Sequence, residues 1–198
     1  MASRLASRPL QNPALFICDL QTAFVNAIHQ FPAVISTTQK LLTAAQILSI
    51  PVIATTQSRG KLGSTVPELK IDEHPNLVGH WDKTKFSMVI PEVREKLKPR
   101  SSVAIVGIES HICVTHTVLD LLREGHEVYV IADGVSSCHP QEVPIALARL
   151  REAGATITSS ESWIYEVMGD ANIPQFKQIA KLVKEQVPAT KKSLQCLL

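Results

Sequence analysis

The chain has 198 residues, 45% hydrophobic and 19% charged, with a formal net charge of +2. This composition fits one folded domain with room for a full core and excludes a disordered chain. No Lys/Arg stripe argues for nucleic acid, and no apolar run reaches membrane-spanning length. The four cysteines, Cys18, Cys113, Cys138 and Cys196, lack CxxC spacing. A disulfide framework or zinc knuckle is therefore not expected, and a reducing compartment is, the cytoplasm first. Residues 1–11 carry Arg4 and Arg8 without an acid. They are read as a flexible N-terminus, with an organellar address left open.

Ala14-Leu15-Phe16-Ile17-Cys18 is a continuous apolar run that ends at Asp19. Such runs suit a parallel strand covered on both faces. Phe31 to Ile50 places Val34, Leu41, Leu42, Ala45 and Leu48 on one stripe and predicts a helix. Pro51 to Thr55 reads as the second strand. Gln57 to Leu77 is polar, carries Gly60, Gly63, Pro67 and Pro75, and reads as a long loop with one helical turn. His80 to Lys83 is a weak third strand, and Pro91 to Lys98 a short helix opened by proline.

Val103 to Val106 is the fourth strand, and a helix pattern follows from Cys113 to Glu124. Glu127 to Ala132 is the fifth strand and ends at Asp133, read as a turn former before Gly134. Pro140 to Ala153 is helical, Ala155 to Thr158 is a sixth strand, and Ser160 caps a helix through Met168. A last amphipathic helix spans Ile173 to Val187, with Phe176, Ile179, Leu182 and Val183 inward. The domain is expected over 12–187, with 188–198 as a frayed tail. This alternation predicts an α/β fold, a three-layer Rossmann-like sandwich with a six-stranded, mainly parallel sheet, for which the doubly wound order 3-2-1-4-5-6 is the expectation. No Gly-x-Gly-x-x-Gly follows the first strand, so no nucleotide cofactor is indicated.

Ligands of such sheets sit beyond the carboxyl ends of the strands, where strand order reverses. With that order, Asp19 after the first strand faces Cys113 after the fourth, and Lys83 reaches the same rim. A cysteine at a strand-to-helix turn lies over unpaired backbone N–H groups, which favour the thiolate. The competing reading of a lone cysteine is a buried core residue. Thiol, ammonium and carboxylate together suit nucleophilic attack on a carbonyl, with the carboxylate as proton acceptor. Cys18 reads as core and Cys138 as a loop cysteine.

Four stretches carry a resemblance: Phe16-Ile17-Cys18-Asp19-Leu20-Gln21, Gly60 to Val66, Asp82 to Met88, and Gly107 to Val114. Over roughly residues 12 to 185 the chain resembles the isochorismatase-like cysteine hydrolases, and especially their eukaryotic isochorismatase-domain branch of unassigned substrate. The resemblance implies a catalytic triad of Asp19, Lys83 and Cys113. It selects Lys83 over Lys85 because the family's lysine precedes an aromatic-Ser pair, here Phe86-Ser87, by three residues. It also implies a cis peptide between Ile108 and Glu109, with the N–H groups of Glu109 and Cys113 forming an oxyanion hole.

Nicotinamidase members of that superfamily bind a metal through an Asp-x-His-type cluster after the second strand. Here the region reads Thr55-Thr56-Gln57-Ser58-Arg59, and His74 and His80 stand apart. No metal and no cofactor are therefore expected. Gln57, Arg59, Trp81 and Ser110 are candidate pocket residues for a small-molecule substrate, along with the rest of the 107–113 turn. Self-association into a homo-oligomer is expected and a membrane partner is not. The leading reading is a metal-independent hydrolase of small amides or related carbonyl compounds. A non-catalytic binding protein on the same fold and, more remotely, a nuclease using His111 and His116 are the alternatives.

Overall fold

The structure is a computed structural model and describes residues 10–197. In chain order the elements are β1 (Ala14–Cys18), α1 (Phe31–Leu48), β2 (Val52–Gln57), the one-turn α2 (Arg59–Leu62), β3 (Leu77–Lys83) and α3 (Pro91–Lys96). There follow β4 (Ser102–Ile108), α4 (Thr115–Arg123), β5 (Glu127–Ser136), α5 (Glu142–Ala153), β6 (Thr156–Thr158), α6 (Ser160–Met168) and α7 (Phe176–Leu197). The sheet order is β3-β2-β1-β4-β5-β6, and every pairing is parallel. The predicted α/β class and strand order are those observed.

Period-two alternation divides the core. Leu15 and Ile17 point to one face, where they pack with Leu41 of α1, Ile164 of α6 and Ile179 of α7. Ala14, Phe16 and Cys18 point to the other, against Val93 of α3, Leu121 of α4 and Leu150 of α5. Because β1 is covered on both faces, every one of its residues is buried and apolar.

β1 and β4 lie side by side although α1 covers one face and α4 the other, so a crevice opens beyond their carboxyl ends. The two strands approach closely there. Cys18 pairs with Gly107, whose φ is +120°, and a Cβ at Gly107 would collide with the Cys18 carbonyl oxygen. Only glycine fits both the conformation and the space.

Several sequence expectations are corrected. The stretch read as a loop from Gln57 contains α2 and two 3-10 turns, Pro67–Leu69 and Ile71–Glu73, and β3 begins at Leu77. β3 is an edge strand with mostly part-exposed residues, so its apolar signal is weak. β5 does not stop at Ala132. While β4 advances from Ile105 to Gly107, β5 advances from Val130 to Val135, a bulge that lets the strand run on to Ser136.

Asp133 therefore lies within β5, fully buried, and is not a turn former. Its carboxylate accepts from the Ser160 N–H at 2.7 Å and from the Ser160 hydroxyl, and Lys40 Nζ lies 4.0 Å away. Burial lowers the Lys40 pKa, with Asp133 and Glu161 opposing.

The tail expected to fray from 188 is helical through Leu197, with Pro188 inside the helix. Its polar residues are held by α1: Lys40 Nζ donates to Thr190 Oγ1 at 2.8 Å and Thr37 Oγ1 to Ser193 Oγ at 3.3 Å. At the other end, residues 1–9 of the expected flexible N-terminus fall outside the described part. Gln11 is anchored: the Ser102 N–H donates to its carbonyl at 2.7 Å, and its own N–H donates to Ser102 Oγ at 3.0 Å.

Gly107→Ala tests the close approach of β1 and β4. The substitution forces a backbone collision as well as a left-handed φ, and should destabilise by about 2 kcal/mol or more in urea unfolding. Gly125→Ala is the control for the collision, since Gly125 also has a left-handed φ, +81°, but a Cβ there meets nothing within 4 Å; it should cost less than Gly107→Ala.

Candidate active site

The chain turns sharply after β1. Asp19 takes a left-handed φ of 52°, which Asp tolerates because its short polar side chain bonds locally. The turn leaves its carboxylate buried at the crevice. Thr55 Oγ1 on the neighbouring β2 donates to Oδ1 at 2.8 Å, and Lys83 Nζ donates to Oδ2 at 2.7 Å.

Lys83 is the last residue of β3 and is 4% exposed. Its ammonium has three donors, and three acceptors meet them: Asp19 Oδ2, Gln57 Oε1 at 2.7 Å and the Phe86 carbonyl at 3.1 Å. Phe86-Ser87 matters because the chain folds back there and returns a carbonyl to the lysine three residues earlier. Lys85 takes no part; its side chain is mostly exposed and pairs with Asp120 at 3.4 Å. Burial, the largest influence on Lys83, pulls its pKa down, but Cys18, Asp19 and Cys113 together raise it above the ordinary lysine value.

Cys18 is buried, as read from the sequence, but it is also part of this cluster. Its Sγ lies 3.6 Å from Asp19 Oδ2. Burial, then a hydrogen bond with Cys113 and the charge of Asp19, push the Cys18 thiol well above its ordinary range, against the pull of Lys83. Cys18 is therefore a neutral thiol at physiological pH.

Cys113 lies between β4 and α4 in a π-helical turn, Ser110–Val114, in which the Val114 N–H donates to the Glu109 carbonyl at 3.1 Å. The helical path therefore starts before the expected Cys113, which sits inside the turn. Two threonines support it: Thr115 Oγ1 donates to the Ser110 carbonyl and Thr117 Oγ1 to the Cys113 carbonyl, both at 2.6 Å. The Ile108–Glu109 peptide is cis.

Asp19 and Cys113 line one cavity of about 160 Å³. Gln57 and Glu109 complete its polar part, and Phe24, Leu62, Phe86, Ile108 and Ile112 supply apolar walls. Lys83 stands behind Asp19 and Gln57. A larger groove, about 460 Å³, lies near the amino ends of the strands against Asn12, Pro51 and Leu97, away from this cluster.

An "Isochorismatase domain" family model matches residues 13–162. The chain belongs to the isochorismatase family. It is 45% identical over 179 residues to the secreted isochorismatase effector Isc1 of Phytophthora sojae, covering 87% of this chain and 85% of that one. It is 40% identical over 181 residues to isochorismatase domain-containing protein 2 of Xenopus laevis, covering 90% and 86%. Among solved structures, one described as the MAR1 ribonuclease from Caenorhabditis elegans superposes with a TM-score of 0.85 at 44% identity, covering 90% and 93%.

In this isochorismatase-family chain the four candidate pocket residues divide. Gln57 lines the cavity. Arg59 does not: its guanidinium turns to Thr56 Oγ1 at 3.3 Å and His80 Nε2 at 3.4 Å, beside a separate surface cavity. Trp81 shares the face of Lys83, but its indole folds back over Gly79, away from the strand end, where a Cβ at Gly79 would collide with the ring. Ser110 is buried in the π-helical turn and does not line the cavity; its hydroxyl has no hydrogen-bond partner among the described residues.

Ile108, Glu109, Ile112 and Cys113 of the 107–113 turn line the cavity as expected, whereas sequence reasoning missed Phe24, Leu62 and Phe86 as cavity walls, and Gln21 and Thr55 as positioning residues. Gln21 is fully buried: its Nε2 donates to the carbonyls of Gly63 at 2.7 Å and Gln57 at 3.1 Å, and its Oε1 accepts from the Gln57 N–H at 2.7 Å. It ties α2, and so Leu62, to the end of β2. The available signal was Thr55-Thr56-Gln57, where polarity interrupts an apolar strand.

The raised Lys83 pKa has a pH consequence. The folded state holds the Lys83 proton more tightly than the unfolded chain, so its contribution to stability is full below the ordinary pKa of 10.5 and is lost as pH rises through the folded value. The thermal midpoint should therefore fall above about pH 10.5. Lys83→Met should show a shallower fall over the same range than the wild type.

Proposed function

We propose that the chain is a hydrolase of small amides or related carbonyl compounds, with Cys113 as nucleophile and Asp19 and Lys83 as its partners. The observation that carries this reading is the shared cavity: the Asp19 carboxylate, bonded by Lys83, and the Cys113 thiol face the same 160 Å³ space. Apolar walls around a polar end favour a small, uncharged substrate.

Asp19 takes the thiol proton while the Lys83 ammonium stabilises the thiolate as it forms. The sulfur attacks the carbonyl carbon, a C–S bond forms, and the carbonyl electron pair moves to oxygen, where the N–H groups of Glu109 and Cys113 receive it. Collapse expels the amine, which takes the proton back from Asp19. Water, deprotonated by Asp19, then cleaves the thioester and returns the thiol.

None of these steps requires a metal. Among the described residues the carboxyl end of β2 carries Thr55, Thr56 and Gln57, not an Asp-x-His cluster. Exposed Ile145, Tyr165 and Val187 on the outer helices support the further expectation of self-association.

A second reading is ribonuclease activity, favoured by the description of the C. elegans structure at 44% identity. The small cavity and the net charge of +2 favour the first reading over it. A panel of small amides, ureides and carbamates, together with a structured RNA, separates them. Cys113→Ala and Cys113→Ser should each lower turnover of an amide substrate by about 1,000-fold or more while the thermal midpoint stays near that of the wild type. RNA cleavage that survives Cys113→Ala and is lost in His111→Ala would establish the second reading instead.

A further inference from the structure

One cluster of mixed metal-ligating groups stands out among the described residues. A carboxylate oxygen of Glu109, an imidazole nitrogen of His111 and the thiol sulfur of Cys138 all lie within 4.8 Å of one another. They come from two segments that meet beyond the carboxyl ends of β4 and β5: the turn into α4 and the loop that leaves β5 after Ser136. Two further contacts hold the segments together. The Cys138 N–H donates to Glu109 Oε2 at 2.7 Å, and His111 Nδ1 lies 3.0 Å from Ser137 Oγ. Such outer bonds orient ligands before any ion arrives.

We propose that Glu109, His111 and Cys138 form a site for one Zn²⁺ ion at the rim of the cavity. A thiolate, an imidazole and a carboxylate are zinc's donor set, whereas Mg²⁺ and Ca²⁺ take oxygen ligands. Zinc bonds of about 2.0–2.3 Å place tetrahedral ligand atoms roughly 3.5 Å apart, inside the 4.8 Å within which all three stand. Cys138 is exposed and lies just past the end of β5, so it is the ligand free to adjust to the ion. Three protein ligands leave the fourth position to water or to a substrate atom. Binding expels the Cys138 thiol proton to solvent as the Zn–S bond forms.

The site is distinct from the Asp-x-His position after β2 and does not depend on Cys113 being a nucleophile. It does share Glu109 with the cavity, so occupancy changes the cavity's polar wall.

The test uses the full chain, reduced and stripped of metal, titrated with Zn²⁺ against a chromogenic chelator. One equivalent should bind, His111→Ala and Cys138→Ser should each weaken binding by about tenfold or more, and Cys113→Ala should leave it unchanged. Co²⁺ in place of Zn²⁺ should give a thiolate-to-metal charge-transfer band in the wild type and in Cys113→Ala, but not in Cys138→Ser. Equal Zn²⁺ affinity in wild type, His111→Ala and Cys138→Ser would overturn the proposal. So would a charge-transfer band that persists in Cys138→Ser and vanishes in Cys113→Ala.

Discussion

The buried ion pair between Lys83 and Asp19 is the constraint on which the rest of the site depends. Taking both charges out of water costs several kcal/mol per ion, and their attraction offsets this only where the remaining donors and acceptors are also satisfied. Here they are. Thr55 occupies the other carboxylate oxygen, and Gln57 and the Phe86 carbonyl occupy the rest of the ammonium. These partners come from the ends of β1, β2 and β3 and from the loop beyond β3. The pair therefore fixes three strand ends to one another and sets the floor of the crevice.

The fourth strand brings the thiol to that floor. Gly107 lets β4 come against β1 at Cys18, and the π-helical turn then carries Cys113 to the wall facing Asp19. Two buried cysteines thus meet at this floor, hydrogen-bonded to each other, and they differ in what else they face. Cys18 points into the packed face between the sheet and its helices, where burial keeps it a neutral thiol. Cys113 opens on the cavity. Location, not residue type, separates a core thiol from a candidate nucleophile.

Much of this was legible in the sequence, and for definite reasons. Apolar runs ending in a polar residue mark parallel strands, so the parallel sheet and the place of Asp19 at a strand end could be read from alternation, and the doubly wound strand order is the one such sheets commonly take. The Phe86-Ser87 pair distinguished Lys83 from Lys85, and the structure supplies the physical content: a carbonyl returned to the ammonium. What could not be read depended on contacts distant in the chain. Leu62 lines the cavity only because buried Gln21 bonds the carbonyl of Gly63. Asp133 looked like a turn former because a bulge that prolongs a strand leaves no local signal. The segment after 188 looked like a tail because its charged residues hide Thr190 and Ser193, which bond α1. Trp81 lies on its expected strand and Arg59 opens α2 within the expected loop, but both side chains turn away from the cavity.

The central claim is that the Asp19–Lys83 pair acts on Cys113. The most direct measurement is the rate of Cys113 alkylation by iodoacetamide at pH 6, followed by peptide mass spectrometry in wild type and Lys83→Met. Circular dichroism confirms that both are folded. An ammonium that stabilises the thiolate predicts alkylation at least about tenfold slower in the variant. Equal rates in two folded proteins would contradict the account.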